Sequence, residues 1–133
     1  MKQVTKAWLD RAQDDLDVAE EIIEIEHLTN MVAFHSQQAV EKIFKSIIEE
    51  FEIGFIKTHR LEMLLETVKG YINFEVDLEF IKRLDEVYID ARYPSNLGLL
   101  PYGKPSIEDA KRFCEFAKNI HSKIMNLLER ETT

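Results

Sequence analysis

Glycine and proline interrupt regular structure more strongly than any other residue, and in this chain they are few and unevenly placed. The 133 residues contain four glycines and three prolines. Pro94, Pro101 and Pro105 share one stretch with Gly98 and Gly103, while Gly54 and Gly70 mark two further breaks. Between these points apolar residues recur at steps of three and four, the period of a helix with one buried face. The chain therefore reads as long helices, short connections and one longer loop.

A first helix is expected over about residues 4–25, where Trp8, Ala12, Leu16, Ala19 and Ile23 form a stripe and acidic residues lie mostly off it. Asn30 is expected to cap a second, over about 31–51, with a broad apolar set running from Ala33 and Phe34 to Ile48 and Phe51. Such breadth predicts a central position or contact with a second subunit, and Gly54 is expected to end the unit. Thr58 opens a third helix, about 58–72, carrying Leu61, Leu64, Leu65 and Val68, and Gly70 suggests fraying near its end. Asp77 is the N-cap candidate of a fourth, about 77–93, with Leu78, Ile81, Leu84, Val87, Tyr88 and Ala91 inward and Pro94 as its stop. Residues 94–105 form the loop, which is rich enough in leucine to pack down. Ser106 and Asp109 resemble a capping box for a fifth helix, about 106–130. The predicted fold class is all-α, an up-and-down antiparallel bundle of four to five helices in a single domain over residues 1–133. The run Phe51–Phe55 also reads as a short strand.

A net charge of −8 argues against a broad basic surface for tracking nucleic acid, while a mononucleotide needs only a few cations. Cys114 is the single cysteine, so neither an internal disulfide nor a cysteine-based zinc site can form. Its spacing from His121, two turns along one helix, is about 10 Å and too long for an activated thiolate. A small buried apolar role is the simpler reading. Glu24-x-x-His27 occurs once, where a di-metal bundle site repeats such a motif, so no metal is expected. No glycine-rich phosphate loop is present. The apolar runs are too short to span a bilayer and the N-terminal residues lack a signal-peptide core, so a cytoplasmic protein without membrane contact is expected.

Two polar groupings stand out. Gln38, Glu41, Lys42 and Lys45 share one ridge of the second helix, with Glu41 and Lys45 at a favourable i,i+4 spacing. The fourth helix ends in Asp90-Ala91-Arg92-Tyr93-Pro94. There Arg92 either satisfies terminal carbonyls or offers its planar fork to a phosphate.

These pieces, with Trp8-Leu9-x-x-Ala12-x-x-Asp15-Leu16-x-x-Ala19, Phe34-His35-x-Gln37-Gln38-Ala39-x-Glu41-Lys42-x-x-Lys45 and Thr58-His59-x-Leu61, resemble the HEPN family (higher eukaryotes and prokaryotes nucleotide-binding domains). The resemblance implies a helical bundle, commonly a homodimer, often paired with a minimal nucleotidyltransferase in toxin–antitoxin-like modules. Some members are metal-independent ribonucleases with an Arg followed four to six residues later by His. Here Tyr93 to Leu99 follow Arg92 and none is histidine; Asn96 offers an amide without imidazole's proton chemistry. The expectation is a nucleotide-binding and interaction module with no ribonuclease activity of its own and no required cofactor. Arg92 and Lys45 engage phosphate, with Lys42 as the alternative. Tyr93 stacks on a base, Asp90 orients Arg92, and Gln38 and His59 complete the site. Rival readings are a ribonuclease using Arg92 with His59 or Asn96, and a purely structural dimerisation module. RNA is the weaker ligand candidate.

Overall fold

The computed structural model describes residues 1–92 and 104–131, with side chains throughout except at 90–92 and 131. Five α-helices follow in order: α1 (Gln3–Glu21), α2 (Thr29–Glu50), α3 (Leu61–Val68), α4 (Leu78–Arg92) and α5 (Ile107–Glu131). No strand occurs among the described residues. The four long helices, α1, α2, α4 and α5, alternate in sense. Lys2 at the start of α1 donates its backbone N–H to Glu50 at the end of α2 (2.9 Å). Lys118 and Lys111 of α5 pair with Glu20 and Glu24, so α5 runs against α1. Arg83 meets Asp109 while Phe80 stacks on Phe116, which sets α4 against α5. The bundle is up-and-down and all-α.

Helix α2 lies at the centre and packs on α1, α3, α4 and α5. Ala33, Val40, Ile43, Phe44 and Ile47 are fully buried within this one chain. The broad apolar face is therefore used up by neighbouring helices, and it gives no indication of a second subunit. A smaller cluster of Ala19, Val32, Ala110 and Cys114 closes the end where α1 turns into α2.

Helix ends depart from the local signals where tertiary contacts intervene. Helix α1 stops at Glu21 rather than near 25, because Ile22 and Ile23 turn in to cover the smaller cluster. A 3₁₀ turn, Glu26–Leu28, then leads straight into α2 at Thr29. Asn30 consequently lies inside the helix and is not its cap; its side-chain oxygen is buried without a hydrogen-bond partner. At the other end of α2, Glu52 N–H donates to Glu49 and Ile53 N–H to Ile48. This is the Schellman arrangement, with Glu52 in the left-handed region at φ 52°. The closing residue is thus Glu52, not Gly54, and the run 51–55 is a helix end and turn, not a strand.

Helix α3 begins at Leu61, three residues later than Thr58 suggested. Thr58 forms a local turn by accepting from the Arg60 N–H (3.1 Å), and a carboxylate from α4 starts the helix: Asp85 accepts from the Leu61 and Glu62 N–H groups at 2.8 and 3.1 Å. Two further caps are local, as the residue types imply. Asp77 accepts from Phe80 N–H and Ser106 from Asp109 N–H. Leu78, expected inward, is exposed, and Phe80 and Ile81 carry the contact of that turn with the core. Loop residues 94–103 lie outside the described residues.

Candidate functional site

The ridge expected on α2 divides into two charge clusters facing different elements. Toward α1, Lys42 reaches Asp15 (2.6 Å) and His35 donates from Nδ1 to the same carboxylate (2.9 Å). Burial pushes the Asp15 carboxyl up, but the hydrogen bonds from His35 and Lys42 outweigh it and hold the group below its ordinary value. An ionised carboxylate only accepts, so the His35 proton sits on Nδ1.

Toward the segment after α2, Glu41 is almost fully buried and accepts from Lys45 (2.8 Å) and from His59 Nδ1 (3.1 Å). Glu41 and Lys45 form the i,i+4 pair the spacing implied. Gln37 holds the arrangement in place. Its side chain is fully buried, its Nε2 donates to the His59 backbone oxygen (3.0 Å) and its Oε1 accepts from Gln38 (2.8 Å). A buried amide needs such partners, and satisfying them fixes the backbone of residue 59 against α2. His59 is 65% exposed, so its ring is clamped on the Nδ1 side while its other edge faces outward.

An aromatic row joins the clusters. The His35 ring meets the edge of Phe34, Phe34 stacks on Tyr88 of α4 (5.7 Å, 14°), and Tyr88 lies over His59 (6.4 Å, 24°). Arg92 follows Tyr88 by one helical turn, which places it by register on the α4 face that meets His59. The side chains of Asp90 and Arg92, and all of Tyr93 and Asn96, lie outside the described residues.

Beside the second cluster is a hollow of about 420 Å³, lined by Trp8, Lys45, Ile48, Glu49 and residues 54–59. Lys45 Nζ lies 5.5 Å from the centre of the Trp8 ring. Phe55 is 89% exposed at its edge. Lys42 and Lys45 are both already ion-paired, so their charge is largely compensated. Lys57 has no carboxylate partner among the described residues.

The structure therefore brings together Gln38, Lys45 and His59 and turns Lys42 toward α1. Sequence reasoning passed over Asp15, Gln37 and Glu41 as site residues, although all three stand in the motifs quoted above. Trp8, Phe55 and Lys57 carried no such signal beyond Trp8's place in the first motif. Among the described residues no group of three or more His, Cys, Asp or Glu side chains is arranged to hold a metal, and no helix is long and apolar enough to cross a membrane. Glu24 pairs with Lys111, and Cys114 is buried with its thiol pushed up by that burial.

Comparison with known proteins gives consistent matches. The sequence model described as "HEPN domain" matches residues 5–128. A Methanocaldococcus jannaschii protein named "Putative toxin MJ1304" is 28% identical over 95% of this chain and 89% of its own length. The crystal structure of TT1696 from Thermus thermophilus superposes with a TM-score of 0.80 at 22% identity, covering 95% of this chain and 99% of the other. That of ST0689, an archaeal HEPN homologue, gives 0.69 at 24%, covering 95% and 98%. At these identities the two structures speak for the shared fold.

Proposed function

The chain belongs to the HEPN domain family, and on that premise we propose that it is a nucleotide-binding module of a toxin–antitoxin-like pair, acting as a homodimer beside a minimal nucleotidyltransferase. The toxin name of its 28% identical relative supports the pairing. The observation that carries nucleotide binding is the cluster on α2. Buried Glu41 and Gln37 hold Lys45 and His59 at the mouth of a hollow, on the α4 side where Arg92 follows Tyr88. Arg92 and Lys45 take the phosphate, Asp90 steadies Arg92, and Gln38 and His59 complete the polar rim. Calorimetry with ATP, GTP and short RNAs tests this. Wild type is expected to bind a nucleotide, and Arg92→Ala to weaken binding about ten- to hundredfold, the scale of a charge-assisted hydrogen bond. Silence from every ligand refutes nucleotide binding, and binding untouched by Arg92→Ala refutes Arg92 as the phosphate site.

One contact favours a second reading. A histidine with Nδ1 held by a buried carboxylate keeps Nε2 available for proton transfer, as a general acid–base needs. A metal-independent ribonuclease would use His59, or Asn96 in its stead, with Arg92 at the phosphate. Cleavage of RNA that survives chelator and disappears in both His59→Ala and Arg92→Ala is the expected result. Cleavage persisting in both variants would show a contaminant.

A further inference from the structure

The hollow beside Trp8 is lined by Lys45 and His59, already given roles, and by Trp8, Glu49, Phe55, Lys57 and Thr58, which have none, and its lining is chemically mixed in a particular way. Its floor includes Ile48 and Ile56, with the Trp8 indole and the 89% exposed Phe55 ring as planar apolar surfaces. Its volume of about 420 Å³ falls within the range of small-molecule sites, about 300–1,000 Å³. Cationic and donor groups sit together along one run of chain, Lys57, Thr58 and His59, and Lys45 lines it too. The Thr58 oxygen already accepts from the Arg60 N–H, which leaves its hydroxyl proton to donate. Glu49 also lines the hollow, and its carboxylate has no partner among the described residues. An exposed phenylalanine alone needs no explanation. One at the mouth of a recess that combines an apolar floor, phosphate donors and a lone carboxylate acceptor calls for a planar ligand carrying both an anion and an amino group.

We propose that this hollow seats the base of a nucleoside monophosphate, with the ring against Phe55 and Trp8, the phosphate at Lys57 and Thr58 with His59 donating from Nε2 as the imidazolium, and an exocyclic amine on Glu49. The assignment rests on the nucleotide-binding reading and specifies where and what the site takes. It keeps only nucleotide binding from that reading and replaces its residue roles, moving the base away from Tyr93 and the phosphate away from Arg92 and Lys45. Base stacking on an aromatic ring tolerates any base, so the preference comes from Glu49, which accepts from the amino group of adenine and finds no such group on uracil. The acidic chain and the presence of Glu49 favour a single phosphate over a polyanion.

The test is calorimetry on the full chain with AMP, UMP and a short adenine RNA. AMP is expected to bind more tightly than UMP. Phe55→Ala is expected to weaken AMP about tenfold or more and Lys57→Ala by several-fold. Both side chains lie at the surface, so the variants fold, and circular dichroism with thermal melting verifies that. Equal or tighter binding of UMP overturns the base assignment, and binding of RNA without AMP overturns the monophosphate. AMP binding that survives Phe55→Ala and Lys57→Ala but is lost in Arg92→Ala or Tyr93→Ala overturns the placement while nucleotide binding itself stands. If no nucleotide binds to wild type, both readings fall together.

Discussion

Asp15 shows how much one carboxylate on an otherwise apolar stripe can organise. It lies among Ala12, Leu16 and Ala19 on the buried face of α1, yet it is the common acceptor for Lys42 and His35 from α2. Its folded-state carboxyl is held below the ordinary value. The stability this contributes is therefore present above the unfolded value, about 3.9, and lost as the pH falls through the folded one. Asp15→Asn keeps the shape but turns one acceptor into a donor facing Lys42 or His35. It is expected to cost about 1–3 kcal/mol at neutral pH in urea unfolding, with the gap to wild type closing in acid. A gap that does not change with pH would contradict the assignment. The pair Glu41–Lys45 could be read from spacing alone, because four residues make one helical turn. Asp15 and Lys42 stand 27 residues apart, and nothing in their local sequence announces the contact.

At the scale of the element, Asp85 performs for α3 what Thr58 was expected to do. A mid-helix residue of α4 satisfies two of the amide donors that every helix leaves open at its start. Helix α3 has only eight residues, too short to be stable in isolation, so it depends on this cap and on burying Leu61, Leu64, Leu65 and Val68. Asp85→Ala is expected to cost about 1–2 kcal/mol and to speed hydrogen exchange at the amides of Leu61 and Glu62. The pH trend runs opposite to that of Asp15. Burial raises the Asp85 carboxyl despite the two N–H donors. Its contribution is thus full below the unfolded value and declines as the pH rises through the folded one. Exchange left unchanged at those two amides would remove the capping role. The caps at Asp77 and Ser106 were legible because cap and helix are neighbours in the chain. That of α3 was not, because its cap arrives from another helix. The end of α2 misled for a related reason: Gly54 attracted the assignment, while packing of Phe51 and Ile53 on the core set the turn at Glu52.

For the whole molecule, the central position of α2 decides what remains for association. Its apolar face is spent inside the chain, so a homodimer has to use other surface, and the side chains of α2 most open to a partner are polar. Light scattering at low micromolar concentration is expected to give twice the 15.6 kDa chain mass. A monomeric mass would refute the dimer without touching the bundle. The order of breakers and the helical period were enough, by themselves, to determine an all-α bundle of four to five helices, because helical periodicity depends on interactions within a turn or two of chain. The tertiary structure alone decided that Lys42 meets Asp15, which carboxylate starts α3, and that Trp8 and Phe55 border one hollow. Those contacts join residues tens of positions apart, and their partners are selected by how helices pack, a property that no single segment carries.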